Sequence, residues 1–391
     1  MDEAMSDRDL LMIPGPIAFD PAVLRALAAP TLSHVSPEFI DIFGQALADT
    51  RSVFLAPDGQ PFVIAATGTF ALEFAAANFI EPGDRVLQVN TGYFSDRMAT
   101  TLERHGAAVT QVKAEVGAVP TLEQIEAELR SGTYKACAVT HVDTSTGVLV
   151  DVRGIAALAG RYGALSIVDG VCATAGEELR QTDWGVDVCV TASQKAIGVP
   201  PGLALAVVGP RAMAAFQARK SPVRSYYADI AEWLPIMRAY EERRPSYFGT
   251  PAVNLVCALR ESLKQILSEG MEARFARHRS IARAFRAAWR AMGLRMVPAS
   301  EEIAANTMSA VYYPDGVDAS VLARVKAEGV ILATGLHPAI RARYFRVGHM
   351  GTTRLGEALA TIGAIEKSLL AAGYRGEPGA GVGAALAALA K

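Results

Sequence analysis

Ser166-Ile167-Val168-Asp169-Gly170-Val171 closes an apolar run on an acid and a glycine. Farther along, Thr191-Ala192-Ser193-Gln194-Lys195-Ala196 sets a lone amine just beyond a second apolar run, Val186–Thr191. Both runs have the length and the Val/Ile content of buried strands. In an open α/β sheet, ligands bind outside the carboxyl ends of the strands. Asp169 and Lys195 therefore stand where such a fold places chemistry. Taken singly, each has a plain structural explanation: an acid capping a turn that Gly170 bends, and a surface lysine at a strand end. It is the pair, each member after its own strand, that points to a site.

Outward from this pair the chain alternates short apolar runs with longer amphipathic ones. Strands are expected at Phe62–Ala66, Arg85–Val89, Ala108–Val112, Ala136–Thr140, Leu165–Val168, Val186–Thr191 and Leu203–Val208. Helices are expected at Asp20–Leu27, Pro37–Leu55, Phe70–Phe79, Phe94–His105, Thr121–Ser131 and Val152–Arg161, with Asp20 and Ser36 as N-caps. Such alternation predicts an α/β domain with a mostly parallel, seven-stranded sheet.

After about residue 250 the texture changes. Long helices are expected at Ala252–Ser268 and Met271–Met292. Shorter strands at Met308–Tyr312, Val330–Ala333 and Tyr344–Val347 are interleaved with helices at Ala319–Lys326 and Leu355–Ala371. This is the pattern of a smaller C-terminal α+β domain. The expected division is an arm at 1–20, a large domain at 21–255 and a small domain at 256–391. The Gly/Ala-rich tail Gly376–Ala390 reads as a flexible end or a weak helix.

Composition narrows the function classes. The chain has 391 residues, 51% hydrophobic and 20% charged, which is globular rather than disordered. A net charge of −2 gives no basic footprint for nucleic acid. The cluster Arg274, Arg277, Arg279, Arg283 and Arg286 follows helical spacing and reads as a solvated helix face. Cys137, Cys172, Cys189 and Cys257 form no CxxC pair and lie in apolar surroundings, so free buried thiols are expected rather than disulfides or metal ligands. That fits a reducing compartment. The N-terminal MDEAMSDRDL lacks the pattern of a signal peptide, and no apolar stretch has the length of a membrane span. A cytoplasmic protein is the expectation.

Two further features bear on chemistry. Thr67-Gly68-Thr69 lies between an expected strand and helix, where hydroxyls and helix N–H groups can bind a phosphate. Alone it is a weak signal, because Ser and Thr cap helices everywhere. It lacks both GxGxxG and GK[ST], which argues against NAD and ATP sites. Arg346, in Tyr344-Phe345-Arg346-Val347-Gly348-His349-Met350-Gly351, lies inside an apolar run and needs an anionic partner. That partner is either an internal carboxylate or a substrate carboxylate held bidentately. An amine that can form a Schiff base, opposite an acid that can hold a pyridinium nitrogen, is what pyridoxal 5'-phosphate requires of a protein.

Together these segments resemble the class V branch of fold-type I pyridoxal-phosphate enzymes, and most closely the alanine–glyoxylate aminotransferases. The likeness runs from Ile13-Pro14-Gly15-Pro16 through Ser33-His34-Val35-Ser36-Pro37-Glu38-Phe39 and Thr91-Gly92-Tyr93-Phe94-Ser95-Asp96-Arg97. It continues with Thr140-His141-Val142-Asp143-Thr144-Ser145-Thr146-Gly147 and the Lys195 segment, and ends at Gly351. The resemblance implies that Lys195 forms the Schiff base and that Asp169 pairs with the pyridine nitrogen. It implies that Thr67, Gly68, Thr69 and Gln194 hold the phosphate and that Val171 lines the ring. Phe94 would stack on that ring. Many relatives have Trp there, which leaves Tyr93 as an alternative. Gly15, Thr144 and Arg346 would contact the substrate, with Arg346 on its carboxylate. Tyr247 and Thr250 match a segment that reaches the neighbouring subunit's phosphate, which implies a homodimer. Cys172-Ala173 stands where relatives often have Cys-Ser, and reads as small packing behind the ring.

The implied reaction is transamination of a small L-amino acid, alanine or serine, with glyoxylate or pyruvate as acceptor. Serine–pyruvate, serine–glyoxylate and 2-aminoethylphosphonate transamination are the alternatives within this chemistry. A non-catalytic pyridoxal-phosphate-binding module is the alternative outside it.

Overall fold

The computed structural model describes residues 9–390, so the acidic leader Met1–Arg8, part of the expected arm, lies outside the described residues. The chain from Asp9 enters as a short strand, Leu10–Leu11, paired in parallel with Val330–Ile331. It then turns at Pro14-Gly15-Pro16 and forms α1 (Pro21–Leu27) and α2 (Pro37–Val53). The expected caps are in place: Asp20 accepts from the Ala22 N–H and Ser36 from the Phe39 N–H.

Seven strands build the main sheet: β1 (Gln60–Ala65), β2 (Arg85–Asn90), β3 (Ala108–Lys113), β4 (Ala136–Thr140), β5 (Leu165–Asp169), β6 (Val188–Ala192) and β7 (Leu203–Val208). Their spatial order is β1-β7-β6-β5-β4-β2-β3. Pairings from β6 to β3 are parallel, whereas β7 is antiparallel to both β1 and β6. Two reversals restore the direction, so β1 runs with the parallel block. Leu203 faces Ala65 and Ala204 faces Ala192, which brings the carboxyl ends of β1 and β6 to one edge of the sheet. Strands β4 to β7 are buried along their whole length, as apolar runs covered on both faces should be.

The covering helices include α3 (Gly68–Phe79), α4 (Tyr93–Arg104), α5 (Leu122–Arg130) and α6 (Val152–Arg161). Between β7 and residue 252, where the sequence alone predicts no element, the chain forms α7 (Pro210–Gln217) and α8 (Ile230–Glu241). Pro235 inside α8 is a helix-breaking residue, although Ile230, Trp233, Ile236, Met237 and Tyr240 keep helical spacing around it.

Then follow α9 (Val253–Glu269) and α10 (Met271–Ala291). Val256, Leu259, Leu263 and Ile266 of α9 join the core of the main sheet, as does Phe275 at the start of α10. The smaller core takes up at Ile281, within α10. The expected division at 255/256 thus falls inside a helix whose apolar face belongs to the larger core. The small domain carries β8 (Met308–Tyr312), α11 (Val321–Ala327), β9 (Ala333–Thr334), β10 (Tyr344–Gly348) and α12 (Leu355–Ala371). Its three strands form an antiparallel sheet in the order β8-β10-β9. The expected strand Val330–Ala333 is split in two: Val330–Ile331 pairs with the N-terminal strand, and Ala333–Thr334 pairs with β10. The tail forms α13 (Ala380–Leu389) against α10 and α12, with the Gly381 N–H on Glu366.

Two expectations fail here. The arginines of α10 are a solvated face only in part: Arg279 and Arg283 are exposed, whereas Arg274 and Arg286 are buried. Arg274 donates to the carbonyls of Ala175 and Ala196 and to Glu269, while Arg286 reaches Asn306 and the Ala305 carbonyl. Helical spacing groups these arginines but cannot show that backbone carbonyls take up Arg274 and Arg286. The cysteines are free, but only Cys137, Cys172 and Cys189 are buried, since Cys257 lies half-exposed on α9. No helix of the described residues is long and apolar enough to cross a membrane.

Candidate active site

Asp169 ends β5 and Lys195 follows β6 by three residues, so adjacent parallel strands deliver an acid and an amine to one sheet edge. Both side chains are buried. Asp169 accepts the Val171 N–H at 3.0 Å, which fixes its carboxylate. Lys195 Nζ donates to the Pro14 carbonyl, so the N-terminal turn closes over the amine. A side chain at Gly15 would put its Cβ 2.6 Å from Lys195 Cδ and 3.0 Å from Nζ, and φ there is +101°. Glycine is required on both counts.

Burial acts on the two groups in opposite senses. Desolvation pushes the Asp169 carboxyl up to about 6, against the Val171 hydrogen bond, which lowers it. Desolvation pulls the Lys195 amine below its ordinary value, with nearby Arg346 acting in the same direction and Cys172 and Asp169 opposing it. A buried amine that sheds its proton readily can serve as nucleophile and base.

Around this pair the structure gathers most of the expected residues. Thr67 caps α3 without a side-chain hydrogen bond of its own, leaving that helix N-terminus open to an anion. Gly68 is wedged against β6 and Val171: a Cβ there would lie 3.0 Å from that of Ala192 and 3.4 Å from Val171 Cγ2. Gln194 has a buried side-chain oxygen with no hydrogen-bond partner among the described residues. Turned over, the amide presents its NH2 group, which can donate to an anion.

Phe94 follows Tyr93 at the start of α4, the two rings edge to face at 5.4 Å. The start of α4 is pinned by the buried Asp143, which accepts the N–H groups of Phe94 and Ser95 at 3.1 Å each. Arg346 donates to the carbonyls of Thr144 and Thr334, and among the described residues no carboxylate forms an ion pair with it. The internal salt bridge left open by the sequence is therefore not what holds it.

Tyr247 and Thr250 do not join this cluster. Both are exposed, the Tyr247 ring lies 5.5 Å from that of His34, and no hydrogen bond links either residue to the site.

The sequence model for "Aminotransferase class-V" matches residues 23–361. The chain belongs to the class-V aminotransferases. This class-V aminotransferase is 40% identical to "Alanine--glyoxylate aminotransferase 1" of Saccharomyces cerevisiae, over 90% of this chain and 94% of that protein. It is 34% identical to "L-aspartate--glyoxylate aminotransferase" of Paracoccus denitrificans, covering 97% and 96% of the two chains. The crystal structure of a ureidoglycine–glyoxylate aminotransferase from Bacillus subtilis superposes with a TM-score of 0.91 at 29% identity, covering 100% of both chains. The enzyme is accordingly a fold-type I aminotransferase that depends on pyridoxal 5'-phosphate.

The residues present fit that cofactor. They offer a buried amine for its aldehyde, a buried acid for its ring nitrogen, a helix N-terminus without a side-chain cap, and an orphaned amide for its phosphate. The sequence reading gave no role to Asp143, Tyr344 or Arg97, all of which the structure places at this site. Asp143 and Arg97 sat in the segments that carried the family likeness, but nothing in residue type alone marked what they touch.

Proposed function

We propose that this enzyme transfers the amino group of L-alanine to glyoxylate, as a homodimer whose sites are shared. The observation that carries the reading is Arg346, an ion-pair-free guanidinium beside the buried Lys195. A free guanidinium beside Lys195 suits the carboxylate of an amino-acid substrate. Gly15 packs against the Lys195 side chain, and the Thr144 carbonyl accepts from Arg346. Each relative described above names glyoxylate as a reactant, and the yeast protein names alanine.

Pyridoxal phosphate, when bound, supplies the electron sink for the amino acid's α-carbon. Arg346 binds the carboxylate with its guanidinium fork and so orients the Cα–H bond. Lys195 Nζ, held below its ordinary pKa by burial, takes the α-proton and returns it. Asp169 holds the proton at the ring nitrogen. The Pro14–Gly15 turn covers Lys195 and limits water.

In this reading, Lys195 and Asp169 are the catalytic residues. Thr67, Gly68, Thr69, Phe94, Thr144, Val171 and Gln194 bind the cofactor, and Gly15, Thr144 and Arg346 bind the substrate. Tyr247 and Thr250 of the partner subunit complete the phosphate subsite, which accounts for their exposure here. The three buried free thiols suit a reducing compartment, and we assign the enzyme to the cytoplasm.

The test is a pair of half-reactions on purified enzyme. L-Alanine should bleach the visible band of the lysine-bound cofactor and release pyruvate, and glyoxylate should restore the band and yield glycine. A protein that responds to L-aspartate or L-serine but not to L-alanine contradicts the donor assignment.

A further inference from the structure

Every side chain assigned above to the cofactor phosphate is neutral: Thr67, Thr69, Gln194, Tyr247 and Thr250. A phosphate group at neutral pH carries more than one negative charge. Lys195 cannot balance it, since its amine is committed to the aldehyde. Arg346 is assigned to the substrate carboxylate, and its guanidinium rests on the carbonyls of Thr144 and Thr334. Among the described residues, Arg97 is a cation that reaches this end of the site.

Arg97 lies on α4, one turn beyond Phe94. Its Nη1 is 3.3 Å from the Thr69 hydroxyl, at the open N-terminus of α3. Its guanidinium carbon stands 4.9 Å from the Phe94 ring centroid and 5.2 Å from that of Tyr93. The neighbouring acids are engaged elsewhere. Asp143 accepts backbone N–H groups of Phe94, Ser95 and Ser145. Asp96 is bound by Lys113 and Asn90. Among the described residues Arg97 forms no ion pair, and its remaining hydrogen bond, to the Tyr93 hydroxyl at 3.4 Å, is long.

We propose that Arg97 is the cation of the phosphate subsite, donating to the phosphate of bound pyridoxal phosphate from beside the ring that stacks on the cofactor. The proposal rests on the assignment of that cofactor to Lys195. A guanidinium fork suits a phosphate better than a point charge does. Its place between Thr69 and Phe94 joins the phosphate end of the site to the ring platform. The competing role for such an arginine is recognition of a second carboxylate on a dicarboxylic donor.

The experiment compares cofactor binding with and without the phosphate. Dissociation constants of the apoenzyme for pyridoxal 5'-phosphate and for pyridoxal are measured by calorimetry for the wild type, Arg97→Gln and Arg97→Lys. Arg97→Gln should weaken pyridoxal phosphate about 10-fold or more, the scale of a charged hydrogen bond, and leave pyridoxal within about 2-fold. Arg97→Lys, which keeps the charge and loses the fork, should fall between. It also serves if the glutamine variant does not fold. Inorganic phosphate should bind wild-type apoenzyme and lose affinity in Arg97→Gln.

Equal weakening of both ligands would mean that Arg97 only shapes the platform, and overturns the proposal. So does an unchanged constant for pyridoxal phosphate, whether or not the KM for L-aspartate moves. A wild type that binds neither ligand overturns the cofactor assignment itself, apart from any role of Arg97.

Discussion

The hydroxyl of Tyr344 donates to the carbonyl of Ser145, tying the strand that carries Arg346 to the turn beneath α4. The same oxygen accepts the N–H groups of Leu336 and His337, at 2.8 and 2.9 Å. Ser145 in turn accepts the Tyr93 N–H on its hydroxyl and donates that hydroxyl to Asp143. One buried phenol therefore connects the small-domain loop, the arginine strand and the start of α4. Tyr344→Phe keeps the ring and removes this link. The KM for the amino donor should rise about 2- to 12-fold, the range of one neutral hydrogen bond, with kcat and cofactor affinity changed less. An unchanged KM would show that the link does not set the position of Arg346.

Arg346→Ala removes the proposed substrate clamp. The loss of a charged hydrogen-bonded contact is worth about 1.5–3 kcal/mol, so kcat/KM should fall roughly 10- to 150-fold. Steady-state kinetics at several donor concentrations reads this directly. Equal kcat/KM in the variant and the wild type rejects the assigned role.

Asp169 gives the apoenzyme a pH signature. Its folded-state pKa is raised to about 6, from an ordinary 3.8. The stability linked to its proton is fully present below the ordinary value and is lost as pH rises through the folded one. The loss is at most about 3 kcal/mol. Asp169→Asn cannot titrate, so the apo variant should gain stability relative to the apo wild type between pH 4 and 7. Denaturant unfolding across that range checks the difference. A gap independent of pH would place the Asp169 carboxyl near its ordinary value.

Lys195 gives the complementary signature. Its amine is pulled below the ordinary value, chiefly by desolvation. Only the neutral amine attacks an aldehyde, so cofactor uptake by apoenzyme should quicken with rising pH, with a midpoint below the ordinary lysine value of about 10.4. Stopped-flow absorbance at saturating cofactor follows it. A midpoint at the ordinary value contradicts the burial of this amine.

Arg274 braces the Lys195 segment from outside, through the carbonyls of Ala196 and Ala175. Arg274→Met retains apolar bulk and leaves both carbonyls unpaired, at about 1–3 kcal/mol each. The thermal midpoint should drop measurably. Glu269 keeps Arg277 as partner in the variant, so the loss reads on the carbonyls. No change in the midpoint would show that water replaces the guanidinium there.

Much of this fold was legible because β4 to β7 are buried on both faces, and such strands must be written as unbroken apolar runs. Asp169 and Lys195 stood out because polar residues at the ends of such runs have few structural uses. Residues whose role depends on a distant partner were not legible. The sequence cannot show that Asp143 meets the first N–H groups of α4, that Tyr344 reaches Ser145, or that Arg274 finds carbonyls rather than water. The helix α9 is amphipathic whichever domain it covers, which is why its place in the larger core had to come from the structure.

Reduction of the purified holoenzyme with borohydride, followed by peptide mass spectrometry, tests the central assignment most directly. A phosphopyridoxyl group on the peptide that contains Lys195, absent from Lys195→Ala, is the expected result. Label on a different lysine, or none in a protein of undiminished activity, would contradict it.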